Sequence, residues 1–126
     1  MSKENRTFDL EERLIDFAVR IMHTAESLPK TKIGNHIVGQ LIRCGTSPAP
    51  NYGEAQSADS RSDFIHKLKI CLKELRETKV WLLMIERADL IKLKSKLEPL
   101  ISENDELISI FVTIVRTAKE KKKKTS

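Results

Sequence analysis

The side chains able to do chemistry are scattered along the chain. Glu74 and Glu77 stand one helical turn apart, the spacing of paired carboxylates that serve acid–base or metal chemistry. A ferritin-like metal centre needs Glu-x-x-His on two helices, whereas this chain offers Glu74-x-x-Glu77 once and Asp63-x-x-His66 once. His23, His36 and His66 fall in separate segments without mutual spacing. Cys44 and Ser47, the candidate nucleophiles, have no recognisable base and no Gly-rich elbow. No phosphate-cradling G-x-x-x-x-G-K or G-x-G-x-x-G occurs. The expectation is a protein that is not an enzyme, with no catalytic residue, no metal and no cofactor. Glu74 and Glu77 are expected as half-buried carboxylates met by Arg43 or a neighbouring lysine.

Positive charge is the other chemical resource. Of a net charge of +5, residues 119–126 (KEKKKKTS) carry +4, which leaves +1 for everything before them. Lys121, Lys122, Lys123 and Lys124 read in two ways. They form an arm for nucleic acid or an acidic partner, releasing counterions on binding, or a solvated helix end whose lysines suit the negative pole of the macrodipole. Residues 61–79 hold six basic against three acidic side chains. Lys69, Lys73 and Arg76 share an outward helical face with His66, as a phosphate-tracking stripe would. The competing reading is an ordinary solvated face, with Glu74 and Glu77 in ion-pair reach of neighbouring turns. Tyr52 and Trp81 are the only amphipathic rings besides the histidines, too few to stack successive bases. What remains is electrostatic, shape-tolerant binding of RNA or DNA.

Composition then fixes the kind of scaffold. At 126 residues the chain can bury one core but not two. Hydrophobic residues at 40%, charged at 33%, and only four glycines and four prolines favour helices over a turn-rich sandwich. Cys44 and Cys71 lie in apolar-periodic stretches without C-x-x-C spacing, as buried free thiols of a reducing compartment do. No signal peptide precedes the charges at Lys3 and Glu4, and no apolar run reaches the roughly 18 residues of a membrane span. A cytoplasmic protein without membrane contact is expected.

Four segments have helical period. The first places Leu10, Leu14, Phe17, Ile21, Thr24 and Leu28 on one seam, flanked by Ile15, Ala18, Met22 and Ala25, and ends at Pro29. The second starts near Thr31 with Ile33, Ile37, Leu41 and Cys44 on one side; Gly34, Gly39 and Gly45 weaken it unless close packing compensates. Pro48 and Pro50 then bend the chain, and Asn51 with Glu54 reads as a capping box that restarts a short helix. A second box, Ser60 to Asp63, opens the third segment, whose seam is Phe64, Leu68, Cys71, Leu75, Thr78, Leu82 and Ile85. The fourth has Leu93, Leu97, Leu100, Asn104, Leu107, Phe111, Ile114 and Ala118 on its seam, with Pro99 placed in its first turn. Short links between long helices predict an all-α, antiparallel up-down-up-down four-helix bundle over residues 1–118, followed by a basic tail over 119–126.

Two stripes exceed what one bundle needs. Ile70, Glu74, Glu77, Trp81, Met84 and Ala88 form a second 4,3 row beside the third seam, and residues 107–115 (LISIFVTIV) are apolar nearly all round. A homo-oligomer is predicted, with Trp81, Met84, Ile108, Val112 and Val115 at its interface. The competing reading is a thick core that absorbs both rows.

Gly45-Thr46-Ser47, Asn51-Tyr52-Gly53-Glu54-Ala55 and the block from Ser60 to Ala88 resemble the bacterial four-helix-bundle family encoded in intervening sequences of 23S rRNA genes, itself similar to the accessory variability protein of diversity-generating retroelements. Members commonly carry Asn-Tyr-Arg-Glu-Ala where this chain has Gly53, and a small residue where it has Pro48. The resemblance implies a left-handed four-helix protomer assembled into a ring, often a pentamer, with no enzymatic activity. For the retroelement relative it implies a basic barrel that binds nucleic acid and a reverse transcriptase. It also places Asn51 and Glu54 at the bend as structural groups, bonding backbone near Pro48 and Pro50 and accepting from Arg43 or Arg61. Two functions of different class follow: a nucleic-acid or ribonucleoprotein adaptor, and a protein-interaction scaffold whose basic surface is incidental.

Overall fold

The structure, a computed structural model, describes residues 4–92 and 94–125, and side chains within 10–92 and 94–124. Leu93 of the fourth seam lies outside the described residues. The first helix, α1 (Glu4–Glu26), turns its seam inward: Leu14, Phe17 and Ile21 are fully buried. It stops at Ser27 and Leu28, whose amides bond back to Thr24 and Ala25, just before Pro29. In the next helix, α2 (Lys32–Thr46), the Thr31 hydroxyl accepts from the Gly34 amide at 3.1 Å as an N-cap.

Two glycines of α2 are there for contact. A Cβ on Gly34 would stand 1.8 Å from the Pro29 carbonyl oxygen, and one on Gly45 would stand 2.7 Å from Ile21. The chain therefore folds tightly at the α1–α2 turn. Ile33, expected on the seam, is 65% exposed, because Gly34 takes the inward position against Pro29.

The bend is built differently from the capping box read in the sequence. A short helix, α3 (Pro48–Gln56), begins at Pro48 itself; Ser47 is its N-cap but makes no side-chain capping bond. Prolines in a first turn cost no intrahelical bond, since those amides would have no partner in the helix anyway. Asn51 thus sits inside α3, and its amide donates backward to the Ser47 carbonyl at 3.0 Å and the Ser47 hydroxyl at 2.9 Å. Because Ser47 keeps helical dihedrals, α2 and α3 form one bent rod.

The long helix α4 (Arg61–Arg87) opens on the expected cap, Ser60 Oγ accepting from the Asp63 amide at 3.1 Å. It ends in a Schellman motif: Asp89 has φ 52°, and the Leu90 amide reaches the Ile85 carbonyl. The last helix, α5 (Lys94–Thr125), carries Pro99 past its first turn rather than within it. It also runs on through the lysines, so the basic stretch after Ala118 is helical as far as Thr125.

In the bundle α1 packs on α2 and α3, these pack on α4, α4 packs on α5, and α5 closes onto α1. The result is the antiparallel up-down-up-down four-helix bundle, its second rod broken at Ser47. At the end of α5 the buried row shifts from Ile114 to Val115, the drift of a 3.6-residue helix against a strict 3.5 repeat. Two polar groups sit in the core. Thr78 donates to the Glu74 carbonyl, and Asn104 bridges the Leu75 carbonyl and the Lys79 amide when its amide is oriented to satisfy both. Among the described helices none is long and apolar enough to cross a membrane.

Candidate nucleic-acid interface

The outer face of α4 is assembled by register alone. Ser62, His66, Lys69, Lys73, Arg76, Val80 and Arg87 recur at spacings of three, four and seven, which places them on one side of a 3.6-residue helix, away from Leu68, Leu75 and Leu82. All of these are exposed, and the row contains no carboxylate. Arg87 extends the row beyond the residues singled out from the sequence, at the same register. Lys69 to Arg87 covers about 27 Å at 1.5 Å per residue. At its start the row meets the basic end of α5, where Lys122 Nζ donates to Ser62 Oγ. The lysines of 121–124 and those of α4 therefore lie along one continuous surface.

The flank of this face carries an ion-pair network that ties α4 to α2. Arg43 donates from Nη1 to Glu74 at 3.0 Å, and from Nη2 to Gln40 at 3.0 Å and to Glu77. Glu77 also accepts from Trp81 Nε1 at 3.0 Å, and the Trp81 ring meets His36 edge-on at 5.9 Å between centroids. The Trp81 hydrogen bond and then the Arg43 guanidinium hold the Glu77 carboxyl below its usual range, with Lys73 adding to the pull. Arg43 itself is raised: desolvation opposes the shift, and the hydrogen bond and charge of Glu77 outweigh it. The paired carboxylates thus serve as a latch between helices. Glu54, placed near Arg43 or Arg61 by the sequence reading, instead meets Lys67 at 3.2 Å, and Arg61 lies over the Phe64 ring at 6.0 Å.

A clamp unforeseen in the sequence closes the other side of the bundle. Arg13 on α1 grips Glu103 on α5 through Nε (3.0 Å) and Nη2 (2.6 Å), and reaches Glu106 at 3.2 Å. Its partners lie ninety and more positions away, so no local pattern marks it. Among the described residues no three His, Cys, Asp or Glu side chains gather as metal ligands would. Cys44 and Cys71 are free and fully buried; burial pushes the Cys71 thiol up to about 12 and raises Cys44 as well.

The residues expected at an oligomer interface divide. Met84 is 47% exposed and Trp81 half-buried, whereas Ile108 and Val112 are half-buried beside α4 and Val115 is buried in the protomer's own core. None of the apolar side chains between 107 and 115 is exposed, so that segment is largely core. The exposed apolar surface lies elsewhere: Ile15, Val19 and Met22 on α1, Ile33 and Ile42 on α2, and Val80 with Met84 on α4.

Fold and surface together define a small antiparallel four-helix bundle with a basic outer face. The chain belongs to the 23S rRNA-intervening sequence protein family, whose model matches residues 6–113. A similar solved structure, from Bacteroides thetaiotaomicron, is described as a protein with unknown function from the S23 ribosomal protein family. It shares 33% identity with a TM-score of 0.77, and the match covers 84% of this chain and 97% of that one. No curated protein matches the chain at a significant level.

Proposed function

We propose that this protein is a non-catalytic, cytoplasmic adaptor for RNA or DNA, acting as a homo-oligomer. One observation carries the reading: the outer face of α4 presents Lys69, Lys73, Arg76 and Arg87 with no carboxylate among them, and runs into the lysine-rich end of α5. Such a surface follows a phosphate backbone by charge and shape and takes no sequence from the bases. Copies around a ring, five of them by the family resemblance, would repeat the stripe. A reverse transcriptase is a partner that the same resemblance brings into the proposal.

Fluorescence anisotropy with generic RNA and DNA tests it. Binding is expected at about 50 mM salt, with log affinity falling against log salt at a slope of about −2 if three phosphates of a single strand are engaged per protomer. K69E/K73E/R76E should abolish binding, and removal of residues 119–126, beyond the last buried residue Ala118, should weaken it and flatten the slope. No retention of either nucleic acid at low salt would eliminate the adaptor.

The exposed apolar residues favour a second reading, a protein-interaction scaffold whose basic surface is incidental. Ile15, Val19 and Met22 recur at i, i+4 and i+7 and so share one face of α1. Light scattering at micromolar concentration decides self-association: a mass of 14.4 kDa would mean a monomer, and V19E should dissociate a genuine assembly.

A further inference from the structure

At the end of the bundle remote from the lysine-rich turn of α5, a groove of about 790 Å³ opens between α1, the α1–α2 turn, the α4–α5 turn and the start of α5. That volume lies in the range of small-molecule sites. Its apolar lining comes from Pro29, Leu90, Ile91, Leu97, Pro99 and Leu100. Its charged lining is Arg20 from α1, beside His23, with Lys92 and Lys96 from the α4–α5 side. Among the described residues no carboxylate lines the groove, and the ion pairs of the neighbouring segments, Arg13 with Glu103 and Lys94 with Asp89, do not include Arg20, Lys92 or Lys96.

Pro99 has no amide to give the Ser95 carbonyl, so one intrahelical bond is missing where the start of α5 borders the groove. The Schellman turn at Asp89 sends Leu90 and Ile91 back toward α1, which supplies an apolar floor next to water. Cations gathered from two sides above such a floor repel one another, and nothing in the groove compensates them. A ligand that covers the floor and carries negative charge would remove both costs.

We infer that this groove binds a small amphiphilic anion, an aliphatic chain or flat ring bearing a carboxylate or phosphate, with its apolar body on Leu90, Ile91 and Leu97 and its head group among Arg20, Lys92 and Lys96. The site shares no residue with the basic face of α4, whose last member Arg87 lies three positions before Leu90, and the inference does not rest on the nucleic-acid reading.

Calorimetric titration of the full chain with dodecanoate, dodecyl phosphate and uncharged dodecanol tests it, all below their micelle-forming concentrations. One site per protomer is expected for the two anions, carboxylate and phosphate being told apart by their relative affinity, and dodecanol should bind at least about tenfold more weakly. R20E/K96E should weaken the anions by about tenfold or more and leave dodecanol unchanged. Lys96 is exposed and Arg20 half-buried, and an unchanged thermal midpoint shows that the fold survives; an independent variant, I91S, should weaken all three ligands. Absence of anion binding, equal affinity for dodecanol, or indifference to both variants would overturn the inference, as would an acidic amphipathic peptide binding where dodecanoate does not. Bound dodecanoate should leave RNA binding at the α4 face unaltered; displacement of RNA would overturn the separateness of the two sites.

Discussion

Three glycines in one helix offer a sharp test of how the bundle is held. All are replaced singly by alanine, the best helix former, so each gains up to about 1 kcal/mol of backbone propensity. What differs is the space. At Gly39 nothing lies within 4 Å of the added Cβ, so the gain stands alone and the midpoint should rise by about 3–5 °C. At Gly45 the new methyl meets Ile21 at 2.7 and 2.8 Å, and Ile21 is a β-branched side chain with no exposed surface into which it can turn. Overpacking of about 1–3 kcal/mol then outweighs the propensity gain. At Gly34 the obstacle is backbone, the Pro29 carbonyl at 1.8 Å, so the α1–α2 turn must move and the Thr31 cap, about 1 kcal/mol, goes with it. The expected order of stability is G39A above the parent, the parent above G45A, and G34A lowest. Far-UV circular dichroism melts at one fixed protein concentration give the order, since any self-association makes the midpoint concentration-dependent. A G34A protein as stable as G39A would refute the close approach of α2 to the Pro29 turn.

The Glu77 carboxyl, held below its usual range by Trp81 and Arg43, contributes stability that is present above the unfolded-state carboxylate pKa and is lost as pH falls through its lower folded value. Urea midpoints between about pH 6 and pH 3 should therefore decline less steeply for E77Q than for the parent, and parallel curves would dispose of the latch. The two thiols should resist iodoacetamide at about pH 8 until the protein unfolds, because burial keeps both neutral. Fast modification of either one in the native protein would contradict the buried placement of the α2–α4 seam.

The helical seams were readable because a two-sided pattern survives small errors in period. Phe17, Ile21, Leu68, Leu75, Leu82 and Leu107 fall inside as their spacing requires. The misreadings occur where geometry departs from an average helix. Asn51 reads as a cap only if prolines must precede a helix; Pro48 and Pro50 occupy the first turn instead, and the cap position moves back to Ser47. Ile33 yields its place to a glycine that touches Pro29, a contact across the turn that no periodicity encodes. The basic face of α4 was legible because its residues share one helix. The Arg13 clamp and the groove around Arg20, Lys92 and Lys96 were not, since their members come from opposite ends of the chain.

The shift of exposed apolar surface away from 107–115 changes the geometry of any assembly. One patch, Ile15, Val19 and Met22, belongs to α1; another, Val80 and Met84 beside Trp81, belongs to α4. Among the described residues α1 and α4 do not pack on each other, so they occupy diagonal corners of the bundle and their patches are separate. A two-fold dimer that pairs α1 with α1, or α4 with α4, would leave the other patch in water. The α1 and α4 patches would suit a head-to-tail contact, each copy offering α1 to the α4 of the next, with Ile33 and Ile42 of α2 as further exposed apolar surface, and such contacts close into a ring when the rotation between copies divides the circle. In that arrangement the contact takes in Val80, which stands in the basic row between Arg76 and Arg87, so assembly and the phosphate-tracking stripe share that stretch of α4. A ring of this kind would set the spacing between stripes and leave Lys69, Lys73 and Arg76 as the part of each stripe open to nucleic acid.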